Sequence, residues 1–236
     1  MSRQQRRKSR SRQSGVSLLK FERQCWDRGI GRLAGVDEAG RGPLAGPVMA
    51  AAVVMDRVFA EKEETGLLNG LTDSKQLTEL RRDRFFAILT SNSSVLYSVG
   101  SASVEEIDSV NILNATHLAM ARAIQGLPAV PEHVLIDGLP VPGLSVSSTA
   151  IVRGDGQSLL IAAASVVAKV TRDRLMKELE VQYPGYGFAK HKGYGSAMHV
   201  RALLEYGPCE AHRRSFRPVR EALGIRSRSA APDDGG

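Results

Sequence analysis

The sequence predicts an α/β or α+β fold, a sheet layered with helices, on three observations. Five short apolar runs have strand length. Longer segments that open on Ser or Thr and carry helical periodicity separate them. With 236 residues, 42% apolar and 24% charged, the chain can also bury a core unaided.

The elements follow in order. Residues 32–36 form an apolar run leading into Asp37, and 47–55 (PVMAAAVVM) a second strand. Residues 79–90 read as a helix with Thr78 as N-cap. Residues 95–101 are a third strand. One or two helical turns over 104–109 precede a longer helix, 112–125, which Gly126 and Pro128 end. Residues 133–136 and 147–152 read as buried strands that stop at Asp137-Gly138 and before Gly154-Asp155. A long helix spans 158–180, and 196–206 is helical. Both ends, 1–15 and 229–236, lack residues to bury and are expected to be disordered.

Composition excludes several classes. The uncharged, mostly apolar stretch 157–168 falls far short of the ~20 residues of a membrane span. The basic start lacks the apolar stretch of a secretory signal, so a cytoplasmic location is expected. Cys25 and Cys209 stand alone, which suits two reduced thiols. The net charge of +7 is unevenly spread. Residues 1–12 hold six basic and no acidic residues; 13–168 carry −4 and 169–228 carry +7. Basic ends around a mildly acidic centre point to a polyanion, nucleic acid above all, or to ordinary solubility charge.

Three strand ends carry an acid beside glycine: Asp37-Glu38 before Ala39-Gly40, Asp137 before Gly138, and Asp155 after Gly154. Singly, each reads more readily as a turn former, and Asp155 also as the N-cap of the next helix. If the strands are neighbours, four carboxylates crowd one sheet edge and repel. Oxygen ligands without His or Cys suit Mg²⁺ or Mn²⁺, and two such ions can drive phosphodiester hydrolysis. Asp173 is set apart: one helix from Asp155 would hold the two roughly 27 Å from each other. Lys169, four residues before it, is its expected ion-pair partner.

The run AGRGPLAGP offers glycines for close backbone approach to a sugar or phosphate, and Arg41 for a phosphate; alone it reads as a tight turn. The segment YPGYGFAKHKGYG holds four of the chain's 12 aromatics, interleaved with Lys190, His191 and Lys192. That interleaving suits nucleic acid, although Tyr183 and Phe188 are expected to complete the core. Asp73-Ser74-Lys75 reads as a solvated helix start or a phosphate-contacting turn.

GVDEAGRGPLAGPV, the DSK turn, HVLIDG, GDGQSLLIAAASVVAKVTRDR and YPGYGFAKHKGYG together resemble bacterial ribonuclease HII, the type 2 ribonuclease H, over residues 18–219. The resemblance implies the ribonuclease H fold, a mixed sheet with flanking helices. Residues 16–183 would be its catalytic core and 184–228 a helical substrate-binding extension. It implies a monomeric endonuclease that cuts RNA in RNA–DNA hybrids and nicks duplex DNA at embedded ribonucleotides. Asp37, Glu38 and Asp137 would bind Mg²⁺ or Mn²⁺, with Asp155 as the fourth active-site acid. The backbone of Gly40, Arg41 and Gly42 would read the ribose 2′-OH, and Tyr194 would pack on the junction sugar. Lys75 and Lys192 join this expected substrate-binding set. The basic first 12 residues depart from the family pattern, and added nonspecific DNA affinity is expected of them. Two other readings remain at this stage: a nucleotide phosphohydrolase using the AGRGPLAGP loop, which lacks a P-loop lysine, and a non-catalytic nucleic-acid-binding protein.

Overall fold

The computed structural model describes residues 17–224, so both predicted tails lie outside the described residues. In chain order its elements are α1 (Lys20–Trp26), β1 (Leu33–Ala39), β2 (Val48–Met55), α2 (Arg57–Glu63), α3 (Glu79–Ser91) and β3 (Val95–Ala102). Then come α4 (Val104–Gln125), β4 (His133–Asp137), β5 (Ser147–Ile151), α5 (Leu159–Gln182), α6 (Phe188–His191), α7 (Ala197–Tyr206) and α8 (Arg217–Ala222).

The strands form one mixed sheet in the order β3-β2-β1-β4-β5. β1, β2 and β3 pair antiparallel, and β4 and β5 add in parallel beyond β1. Alternation along β2 builds two cores: Ala51, Val53 and Met55 face α5, while Ala50, Ala52 and Val54 face α4. Small residues let the helices approach closely. A side chain at Gly35 would run into the α5 backbone at Leu160, and one at Gly100 into α4 at Ala119.

Local signals explain the helix ends. Ser103 and Glu106 close a capping box at the start of α4. Thr78 caps α3 and Ser158 caps α5. Residues 159–168 of α5 are buried on every side, and apolar but for Ser165, because the sheet covers one face and α3 packs on another. Asn111, at φ 66°, interrupts α4 where the two predicted helical segments meet.

Three expectations need correction. β1 continues through Asp37 and Glu38 to Ala39, because pairing with β2 outlasts the apolar run. β5 is an exposed edge strand rather than a buried one. Asp155 does not cap α5; it lies on a 3₁₀ turn, Gly154–Gly156, and Ser158 takes the cap. Among the described residues, no helix is long and apolar enough to cross a membrane.

Candidate active site

Parallel pairing of β1 and β4 aligns Val36 with Ile136, so the next residues, Asp37 and Asp137, emerge side by side. β5 runs parallel beyond them, and Arg153, in the left-handed region at φ 56°, turns the chain back. The 3₁₀ turn then delivers Asp155 to Asp137. Asp137 Oδ1 accepts the N–H groups of Gly154 at 2.6 Å and Asp155 at 3.4 Å. One oxygen each from Asp37, Asp137 and Asp155 lies within 4.8 Å of the others.

This closeness is electrostatically unfavourable. Burial, with the charges of Glu38 and Asp137, pushes the Asp37 carboxyl well above its ordinary range. Burial and Asp137 likewise push Asp155 up to about 6. Glu38 stands beside the trio with its pKa raised by burial, and its Oε1 is 3.4 Å from an Arg41 guanidinium nitrogen. Oxygen donors that repel one another in a buried pocket suit a hard divalent cation, and no imidazole or thiolate joins them to favour a softer one.

A cleft of about 700 Å³ opens beside the acids, walled by Glu38, Gly40, Arg41, Gly42, Ser74, Lys75, Lys169 and Tyr194 among others. Two fully buried arginines shape its glycine-rich rim. Arg213 donates to the carbonyls of Gly40, Arg41 and Gly46. Arg172 donates to those of Ala45, Pro47 and Lys192. Gly40 is required twice over: its φ is +97°, and a Cβ there would strike the Arg172 side chain. With the loop's carbonyls turned inward, the N–H groups of Arg41 and Gly42 meet no acceptor among the described residues. Burial lowers Arg172 to about 10 and Arg213 to about 9, so both stay cationic behind the loop at neutral pH.

The remaining expected residues divide. Tyr194 is half-exposed on the cleft wall. Lys75 lies there too; burial opposes its charge, but Asp37, Asp73, Asp155 and Glu38 outweigh it and raise its pKa. Lys192 is not part of that wall, and its ammonium donates to the Ala189 carbonyl. Phe188 is fully buried, while Tyr183 is half-buried with its hydroxyl on Glu210. Lys169 and Asp173 pair at 2.6 Å, as their spacing predicts. The sequence reading left Asp73 in the DSK turn without placing it beside Asp155, whose pKa its charge helps to raise, and it missed Ser165, whose hydroxyl donates to Ser74. It also missed both buried arginines. A DSK turn ordered by the Asp73 cap was the one available signal.

A mixed sheet with an acidic trio at its strand ends, facing an amide-rimmed cleft, defines a metal-dependent nuclease of the ribonuclease H class. The comparisons with known proteins agree. The family model described as Ribonuclease HII matches residues 34–219. A ribonuclease HII from Geobacillus thermodenitrificans is 48% identical, covering 95% of this chain and 83% of that protein. One from Burkholderia mallei is 54% identical, covering 82% and 86%. The crystal structure of ribonuclease H2 from Pyrococcus horikoshii superposes with a TM-score of 0.67 at 30% identity, covering 82% of this chain and 97% of that one. The chain belongs to the ribonuclease HII family, and with it to the metal-dependent ribonucleases H.

Proposed function

We propose that the protein hydrolyses the RNA strand of RNA–DNA hybrids and nicks duplex DNA at embedded ribonucleotides, leaving 5′-phosphate and 3′-hydroxyl ends. The observation that carries this reading is the convergence of Asp37, Asp137 and Asp155 within 4.8 Å beside a cleft rimmed by free backbone amides. A cluster this acidic repels a phosphodiester unless cations intervene, which speaks against a purely non-catalytic binder. The loop lacks the Gly-Lys-Ser/Thr of a nucleotide phosphohydrolase.

Asp37, Glu38, Asp137 and Asp155 are the residues to hold Mg²⁺ or Mn²⁺, in two ions, directly or through water. When bound, the metal lowers the pKa of the attacking water and stabilises the departing 3′ oxygen. The chain's own groups do the rest. Arg172 and Arg213 fix the loop carbonyls, presenting the amides of residues 40–42 to the ribose 2′-OH, the group that separates RNA from DNA. Lys75 keeps its positive charge among the acids and offers it to a phosphate. The Tyr194 ring packs on the sugar at the RNA–DNA junction. Residues 184–228 are read as the segment that grips the duplex, since they carry nine basic and three acidic residues.

The test is cleavage of a labelled DNA duplex with one ribonucleotide, assayed with Mg²⁺, with Mn²⁺ and with EDTA. Metal-dependent cutting at that ribonucleotide is expected. ATP turnover without cutting, or tight hybrid binding indifferent to EDTA without cutting, sinks the reading.

A further inference from the structure

Three of the chain's five histidines meet in the C-terminal segment, and the chemistry above uses none of them. His191 stacks on His199 with ring centroids 4.5 Å apart. His199 Nε2 lies 3.0 Å from His212 Nε2, and both residues are fully buried. The hydrogen bonds at either end fix the protons between them. His199 Nδ1 is 2.9 Å from the carbonyl oxygen of Tyr194, which can only accept, so Nδ1 carries the hydrogen. Its Nε2 is then an acceptor, and His212 Nε2 must donate. That leaves His212 Nδ1 to accept the Cys209 N–H, at 3.1 Å. With both rings neutral, all four ring nitrogens are satisfied.

The far end of this relay is the substrate-facing residue. Tyr194 sits between Gly193 and Gly195, so local backbone preference does little to fix its ring. Its carbonyl accepts from the Ser196 N–H and from His199, the one side chain that bonds Tyr194's main chain among the described residues. Its ring lies beside Gly42, where a Cβ would be 3.7 Å from the ring edge.

We propose that His199, locked in one tautomer by His212, is a positioning residue: the imidazole pair holds the Tyr194 main chain and so aims the tyrosine ring at the substrate sugar. This rests on Tyr194 being a sugar contact and deepens that reading. The pair works as a neutral unit, because a third ring proton sets N–H against N–H. The titratable groups packed on it are His191 from α6, Cys209 from the following loop and Tyr186; Phe188 closes the side, and Arg172 of α5 bonds the nearby Lys192 carbonyl. Burial keeps His199 below its ordinary pKa, and burial with His199 brings His212 to about 4.

The experiment measures kcat, KM and Tm on the single-ribonucleotide duplex for His199→Asn, His199→Gln and Tyr194→Ala, and for His199→Gln combined with Tyr194→Ala. The Asn amide can replace the Nδ1 hydrogen; the Gln amide falls at the Nε2 position and cannot. His199→Asn is expected to keep KM within about twofold even if Tm drops. His199→Gln is expected to raise KM about tenfold, the worth of one hydrogen bond, with kcat within about twofold. In the Tyr194→Ala background the same Gln substitution should add nothing. A full tenfold effect persisting there, or a wild-type KM in His199→Gln beside a raised KM in Tyr194→Ala, overturns the relay. A wild-type KM in Tyr194→Ala sinks the sugar-contact reading instead. Should Gln prevent folding, ¹⁵N spectra of the wild-type imidazoles decide: hydrogen on Nδ1 of His199 and Nε2 of His212 is expected, and the opposite tautomer of either overturns the proposal.

Discussion

Two clusters of like ionisable groups flank the glycine-rich loop, and they are assembled on opposite terms. The carboxylates of Asp37, Asp137 and Asp155 approach within 4.8 Å with more negative charge than the side chains around them offset, and burial raises Asp37 and Asp155. The imidazoles of His199 and His212 come as close as 3.0 Å, yet each ring nitrogen has a partner with both rings uncharged. The first cluster is left with unbalanced charge by the fold and suits a divalent cation; the second is complete as folded. Crowding alone therefore does not mark a reactive site. Whether protons and charges balance within the protein separates the ligand-binding cluster from the scaffolding one.

The largest effect comes from breaking the acidic side. Asp37→Asn is expected to lower the cleavage rate by ~10³-fold or more at saturating Mg²⁺, on the loss of several kcal/mol of metal-assisted stabilisation. Hybrid affinity, measured by fluorescence anisotropy, should stay within about threefold. Near-wild-type turnover would remove Asp37 from the site. The imidazole side predicts no comparable loss of kcat from His212→Asn.

Next in size is the response to pH, where the clusters pull in opposite directions. His212 falls from its ordinary 6.5 to about 4 in the folded protein. Its contribution is present above pH 6.5 and lost as pH falls through 4. Asp155 rises from 3.8 to about 6 without metal, so its contribution is present below 3.8 and lost as pH rises through 6. Solvent screening holds each to roughly 1–2 kcal/mol. Between pH 6.5 and 4 the two offset each other in metal-free protein. Asp155→Asn should therefore lose stability more steeply over that window in urea titrations than the wild type does. Parallel curves would show that the clusters do not differ as described.

Metal binding sharpens the same contrast. At 100 times its Kd, a divalent ion that binds only the folded state adds about 2.7 kcal/mol. The wild type should show this as a rise in Tm with Mg²⁺ or Mn²⁺. Asp37→Asn should start from a higher metal-free Tm, relieved of one buried repelling charge, and gain less on adding metal.

How much of this was legible in the sequence follows from how far apart the interacting parts lie. The apolar runs and the Ser and Thr caps are local, so β2, β3, α3 and α5 fall within a few residues of expectation. The break near Asn111 was visible as two helical segments. The acids stood out because each ends a strand beside glycine, although β1 runs on to Ala39 on pairing that apolar pattern does not record. Arg172 and Arg213 were invisible: their partners are backbone carbonyls, five of the six more than 120 residues away, and nothing local distinguishes them from surface arginines. The His199–His212 pair was hidden similarly, since each lies in a polar, ordinary-looking stretch and only the fold of α7 against the loop brings the rings together.

The smallest expected effect separates the loop's role in folding from its role in recognition. Gly40 needs a left-handed φ and clearance from Arg172, so Gly40→Ala damages the fold itself. Gly42 needs neither: its φ is not left-handed, and a Cβ would meet only the Tyr194 ring edge at an ordinary 3.7 Å. Gly42→Ala should leave stability within ~0.5 kcal/mol, as a surface substitution does. Its methyl group nonetheless enters the space between the loop amides and Tyr194, where the proposed function places the ribose. A KM raised a few-fold for the single-ribonucleotide duplex, at unchanged Tm and kcat, is the expected result. An unchanged KM would move the 2′-OH contact away from Gly42 and leave Tyr194, with the imidazoles behind it, to recognise the sugar alone.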